Sequence, residues 1–130
     1  MTIIVCVDDR MGIAFNKRRQ SRDRIVCQNI TQTVAGSSIG MDEKSVKLFD
    51  DMDINIVTGE DALKCDNYFL EFDQAYIEGA NIDKLIIYRW NRHYPSDRYF
   101  DIELDAFSLI ETTEFPGSSH ELITKEVYVK

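Results

Sequence analysis

The hydrophobic pattern opens on a continuous apolar run. Ile3-Ile4-Val5-Cys6-Val7 is five apolar, mostly β-branched residues in succession, which predicts a strand buried on both faces. Asp8-Asp9-Arg10-Met11-Gly12 then turns the chain, and Asn16-Lys17 predicts a second turn ahead of the basic loop Lys17-Arg18-Arg19. A helix is expected from near Ser21, with Ser21 as N-cap and Asp23 in the first turn, where the helix dipole favours a negative charge. Ile25, Val26, Asn29, Ile30 and Thr33 fall at helical spacing on one face, and Gly36 suits the C-cap.

Ser37 to Met41 reads as a brief strand leading to a second helix over Asp42–Phe49. An acidic turn, Asp50-Asp51-Met52-Asp53, precedes a strand at Ile54-Asn55-Ile56-Val57. Between Asp61 and Gly79 the pattern is weak: Tyr68, Phe69, Phe72 and Tyr76 fit either a helix face or the end of a strand, and residues 73–79 favour a short helix capped by Gly79. The second strong strand is Lys84-Leu85-Ile86-Ile87-Tyr88-Arg89-Trp90, whose apolar start predicts burial on both faces. After a charged loop, Phe107–Phe115 alternates well enough for a strand. Pro116-Gly117-Ser118-Ser119 is a turn, and Leu122–Val129 closes a hairpin. Strands and helices alternate in the first half and a hairpin ends the second. The expectation is one α/β domain over residues 1–130, a three-layer α/β/α arrangement around a central mixed, mostly parallel sheet with a C-terminal antiparallel hairpin.

Composition narrows the class. An apolar fraction of 44%, with seven Phe, six Tyr and one Trp, is that of a globular chain with a real core. The three cysteines, Cys6, Cys27 and Cys65, are widely spaced and form no CxxC, so a reducing, cytoplasmic setting is expected. No apolar run approaches the ~20 residues of a membrane helix, and the first apolar run ends at Val7 before two aspartates, unlike a signal peptide.

The net charge of −8 argues against general nucleic-acid binding, but its distribution says more. Residues 10–24 hold six Lys/Arg and one Asp, a balance of +5, while the remainder carries nine Lys/Arg against 22 Asp/Glu, or −13. A cationic island on an acidic body is a candidate anion site. It could equally be a solvated loop whose arginines pair with nearby acids.

Two histidines, His93 and His120, without HxH or HExxH and without a Cys pair, predict no metal site. A Ser-His-Asp enzyme could be drawn from Ser118, Ser119 and His120, but they lie in a turn and no GxSxG exists. His120 is expected to brace the hairpin or sit on the surface, and Trp90 to be core or cleft wall.

The chain resembles the dihydrofolate reductase family at both ends, over about two thirds of its length. The opening pattern is an apolar strand, Asp-x-x-x-Gly-Ile (Asp8 to Ile13), a polar loop, then a helix with an acid in its first turn (Asp23), ending here in Ile30-Thr31. Asp83-Lys84-Leu85-Ile86-Ile87 is similar to that family's late central strand, and Ser96-Asp97-Arg98-Tyr99-Phe100 to its Gly-Asp-x-x-Phe loop. The resemblance implies that Asp23 is the acid that fixes a pterin ring and assists protonation. It implies that Asp97 braces the loop over the active site. From the residues alone Asp23 is either a helix-dipole partner or a ligand-contacting acid.

The departures matter as much. Where the family carries Trp and Pro in its active-site loop, this chain has Phe15-Asn16-Lys17-Arg18-Arg19-Gln20. Where the family binds cofactor phosphates with Gly-Arg-x-Thr, this chain has Met41-Asp42-Glu43-Lys44-Ser45, and no Gly-Gly pair occurs. Two carboxylates at that place would repel a pyrophosphate. The leading expectation is therefore a divergent protein of this fold with no cofactor. It would bind a small anionic ligand in a cleft near Asp23 and the basic loop 17–24, with Arg18, Arg19, Arg22 and Arg24 as bidentate donors and Phe15 and Trp90 as further ligand contacts. One alternative is an NADPH-dependent reductase of a pterin-like substrate with altered cofactor contacts. Another is an acidic inhibitor or regulatory module that binds a protein.

Overall fold

A computed structural model describes residues 1–130. Ten strands run in the order β1 (Thr2–Val7), β2 (Gly12–Phe15), β3 (Arg18–Arg19), β4 (Ser38–Met41), β5 (Asn55–Val57), β6 (Asn67–Leu70), β7 (Lys84–Arg89), β8 (Arg98–Tyr99), β9 (Ser108–Phe115) and β10 (Ile123–Val129). The single α-helix, α1, spans Arg24–Thr33, and four short 3-10 turns occupy Glu43–Phe49, Gly59–Lys64, Gln74–Ile77 and Leu104–Ala106.

Seven strands form one mixed sheet in the order β5-β4-β6-β1-β7-β10-β9. The opening strand is interior: β1 pairs in parallel with β6 and with β7, as Ile4↔Phe69 and Ile4↔Ile86. Only β10 is reversed: it pairs antiparallel with β7 on one side and with β9, its partner in the closing hairpin, on the other. A second, three-stranded antiparallel sheet has the order β3-β2-β8.

The unbroken apolar runs of β1 and β7 have the physical reason expected for them. Alternate residues feed two cores. On one face Ile4, Ile39, Phe69, Ile86 and Tyr88 pack with Val26, Cys27 and Ile30 of α1 and with Phe49. On the other, Ile3, Val5, Val7, Leu85 and Ile87 pack with Ala62, Ile77, Phe100 and the β2 residues Ile13 and Ala14. The three layers are therefore present, with 3-10 turns and a small sheet covering the second face in place of regular helices. No helix is long and apolar enough to cross a membrane.

Four local expectations change. The helix begins at Arg24 with Asp23 as its N-cap, not at Ser21: Asp23 has extended backbone (φ −151°, ψ 123°) and accepts from the Ile25 and Val26 amides. The helix expected over 42–49 is a 3-10 turn capped by Asp42. The ambiguous aromatic stretch divides: Tyr68 and Phe69 fall on strand β6, buried with Leu70, whereas Phe72 lies beyond it and Tyr76 sits in the Gln74–Ile77 3-10 turn. The basic stretch after Gly12 is not a loop but a tight hairpin of β2 and β3, turned by Asn16 and Lys17, both at positive φ (51° and 62°). That two-residue turn matches the twist of the strands it joins.

Candidate functional site

The N-terminus of α1 is clamped to the β9–β10 turn by one carboxylate. Asp23 Oδ1 accepts from the amides of Ile25 (2.9 Å), Val26 (3.3 Å) and Ser118 (3.0 Å) and from the Ser118 hydroxyl (3.1 Å). Its Oδ2 accepts from the Ser119 amide (2.8 Å) and faces His120 Nδ1 at 2.9 Å. Burial alone would raise the Asp23 pKa. The Ser118 amide, the His120 ring and the Ser119 and Val26 amides outweigh it and hold the carboxyl well below the usual range. Gly117 is required by contact: a Cβ there would strike the Asp23 carboxylate.

His120 is buried, not on the surface, and it does brace the hairpin. An ionised Asp23 requires the ring proton on Nδ1. Nε2 then meets the Tyr94 hydroxyl at 2.9 Å and the Ser21 hydroxyl at 3.2 Å. Trp90, also buried, stacks on the imidazole with centroids 4.5 Å apart and planes 17° apart. So Ser21, the expected cap, bonds the histidine instead.

A second buried carboxylate ties the loops at the end of β1. Asp8 accepts from the Arg10 and Gly12 amides on one oxygen. On the other it accepts from Gln20 Nε2, the Tyr94 amide and the Ser96 hydroxyl. Burial opposes its ionisation, and the amides of Arg10, Gly12 and Tyr94 prevail, so its pKa falls. The Gln20 side-chain oxygen is buried without a partner.

The basic hairpin divides its cations between different tasks. Arg19 forks onto Glu71 (2.9 and 3.0 Å) and reaches the Lys44 carbonyl (2.7 Å), while the Ser45 hydroxyl donates to Glu71 as well (2.7 Å). Arg19 thus stitches the hairpin to the end of β6 and the 43–49 turn. Arg18 is exposed and makes no ion pair, and Phe15 is exposed beside it. Asp97 accepts from the Asn16 amide (3.1 Å), and its own amide donates to Ala14 (3.0 Å), which anchors the hairpin tip to the loop before β8.

Two cations of this stretch meet a third elsewhere. A cleft of about 250 Å³ at the start of α1 is lined by Arg22, Asp23, Arg24, Lys47, Ser118 and Ser119, with Cys27 and Leu48 at its base. Arg22, Arg24 and Lys47 form no ion pair. Asp23, the one acid in the lining, has both oxygens engaged as described above. Of the expected ligand residues, Arg22 and Arg24 reach this cleft. Arg18, Arg19, Phe15 and Trp90 do not line it. Lys47 was not legible as a partner, because it comes from the 43–49 turn and only packing of that turn beside α1 brings it near. Ser118 and Ser119 were legible as turn residues only.

A larger cavity, of about 460 Å³, lies beyond the C-terminal end of β4. Its walls include Met41, Asp42, Glu43, Leu63, Tyr68 and Tyr76. The 59–64 turn sits directly over the strand, with the Ala62 carbonyl where a side chain at Gly40 would be. The Lys44 amide at this place is bonded by Asp42 Oδ1 (2.8 Å), and the Ser45 hydroxyl by Glu71. No three His, Cys, Asp or Glu side chains gather in a way that could hold a metal ion.

No family model matches the sequence, and neither does any curated protein. Among solved structures, the dihydrofolate reductase from Enterococcus faecalis complexed with NADP(H) and RAB-propyl superposes with a TM-score of 0.69. The alignment covers 98% of this chain and 94% of that one at 8% sequence identity. The fold of this chain is therefore dihydrofolate reductase-like, as the resemblance implied.

Proposed function

We propose that this chain is a divergent domain of that fold which binds a small phosphate- or carboxylate-bearing anion at the start of α1, and that it performs no nicotinamide chemistry. The observation that carries the reading is the convergence of Arg22, Arg24 and Lys47 on one cleft with no acid paired to any of them. Two guanidinium forks and an ammonium at a helix N-terminus are suited to an oxyanion. The hydroxyls of Ser118 and Ser119 stand beside them. In this reading Asp23 is a positioning residue: it holds the serine turn against the helix rather than touching ligand.

The residues at the place implied for a dinucleotide do not suit one. Asp42 and Glu43 stand where phosphate would need cations. The Lys44 amide and the Ser45 hydroxyl, which could donate to a phosphate, are already engaged within the chain. No step is therefore derived through NADPH.

Calorimetric titration at low salt with inorganic phosphate, pyrophosphate and citrate tests the proposal. At least one should bind, with an affinity that falls as salt is added. The combined Arg22→Ala, Arg24→Ala, Lys47→Ala variant should lose that binding while keeping its fold. Unchanged affinity in the triple variant would overturn the site. Micromolar binding of NADPH would restore the reductase reading.

A further inference from the structure

The cavity beyond β4 carries the opposite charge, and we infer that it takes a planar organic cation, a protonated nitrogen on an aromatic body. The inference does not depend on the anion cleft.

Its size suits a small molecule: about 460 Å³ falls within the range of ligand sites. The more telling feature is Tyr68. The residue is 5% exposed and lines the cavity, and its hydroxyl, which is not itself buried, has no hydrogen-bond partner in the protein. A ligand in the cavity can therefore reach it without breaking a bond within the chain. Burial first, and then the nearby Asp42 and Tyr76, push its pKa up, so the group is a neutral hydroxyl able to meet a ligand.

The charge around it is negative. Asp42 uses Oδ1 to cap the 43–49 turn, which leaves Oδ2 free, and Glu43 forms no ion pair. The lining includes one cation, Lys44, which leaves the two carboxylates in excess by one charge, and its ammonium lies 4.3 Å over the Phe72 ring, a ring outside this cavity. In bulk water each carboxylate within about 4 Å of a ligand cation favours it roughly fivefold, and the same attraction works against an anion. The apolar walls complete the fit. Leu63 and Tyr76 are each more than two fifths exposed. A flat ring would cover them, and a cation beside the tyrosines gains from their π faces. The acidic wall that disqualifies a dinucleotide is thus the feature that selects this ligand.

Benzamidine, benzamide and benzoate are near-isosteric probes of charges +1, 0 and −1. Titration of the whole chain, followed by the amide resonances of Met41 to Lys44, should show benzamidine binding at least about tenfold tighter than benzamide, with benzoate absent. Glu43→Gln, which leaves the Asp42 cap intact, should weaken benzamidine several-fold. Adding Asp42→Asn should remove the preference over benzamide. Tyr68→Phe should weaken both benzamidine and benzamide. The Arg22, Arg24, Lys47 variant should bind benzamidine as the parent does, which separates this cavity from the anion cleft. The inference is overturned if benzoate binds as well as benzamidine or if Glu43→Gln and Asp42→Asn change nothing. It is also overturned if benzamidine gives no shift at about 10 mM, a concentration that a ligand of nine heavy atoms in a fitted site should not need to exceed.

Discussion

Asp23 and His120 lie 97 residues apart in the chain and 2.9 Å apart in space, with neither side chain touching solvent. The contact joins the first helix to the last hairpin, so the two ends of the sequence close around one buried carboxylate. Replacing it by Ala would leave four backbone amides, a hydroxyl and an imidazole without their acceptor. Asp23→Ala should lose about 3–5 kcal/mol in urea unfolding, because several buried donors lose a charged acceptor at about 1–3 kcal/mol each. Asp23→Asn should lose somewhat less, because one amide oxygen can still accept.

The same carboxylate sets a pH dependence whose sign is fixed. Its folded pKa lies well below its unfolded value, so below about pH 5 the unfolded chain binds protons that the folded chain refuses. The stabilisation is complete above the unfolded pKa and is lost as pH falls toward the folded one. Urea midpoints measured from pH 6 to pH 2 should therefore drop, and the drop should be shallower in Asp23→Asn. A residual slope will remain from Asp8, whose pKa is also lowered. An Asp23→Asn slope equal to the parent's would show that the carboxylate is not held as described.

Much of this was readable beforehand, and the reason is local. The runs Ile3–Val7 and Leu85–Ile87 declare strands with two buried faces because no solvent-facing position interrupts them. Pro116-Gly117 declares a turn because few other structures tolerate that pair. Tyr68 to Leu70 declared nothing, since three large apolar residues suit a buried strand or a buried helix, and only pairing with β1 and β4 decides between them. The cationic cluster was legible in composition, but not which of its members would stay free. Six cations in 15 residues stand out in the sequence, yet nothing local says that Arg19 will be taken by Glu71, 52 residues on, while Arg22 and Arg24 form no ion pair. The buried His120 was unreadable for the same reason: its partner Asp23 and its stacking ring Trp90 are distant in sequence.

Arg19 and Glu71 supply a prediction about coupling. The Glu71 side chain is only 8% exposed and receives both Arg19 and Ser45, whereas Arg19 is partly exposed, so solvent screens some of the pair's attraction. Arg19→Ala should cost about 2 kcal/mol, chiefly by stranding the Glu71 charge. In the Arg19→Ala, Glu71→Gln double variant the two losses should fall short of additive by about 1 kcal/mol or more. A double-mutant cycle by denaturant unfolding measures this. Strict additivity would mean the pair contributes no specific interaction.

Gly117 lies where the hairpin turn meets Asp23, and the space there has no room for a methyl group. Gly117→Ala should therefore destabilise by about 1–3 kcal/mol, the cost of overpacking a tight site. The displaced contact is the carboxylate itself, so the Ser118 and Ser119 amides should lose hydrogen-exchange protection before the sheet does. A variant as stable as the parent would show that the turn can move away from the helix.

The hairpin tip supplies a prediction of opposite sign. Asn16 and Lys17 both sit at positive φ, a conformation that costs an ordinary side chain about 1 kcal/mol. Asn accepts this position more readily than Lys does, and Asn-Gly is the sequence such turns favour. Lys17→Gly should thus raise stability by about 0.5 kcal/mol, a rise of a few degrees in Tm, despite the greater freedom glycine gives the unfolded chain. Asp97→Ala removes the acceptor of the Asn16 amide and should cost about 1 kcal/mol in the parent. In the Lys17→Gly background, where the turn holds its own shape, the cost should be smaller. If Asp97→Ala costs the same in both backgrounds, the carboxylate and the turn geometry stabilise the hairpin independently.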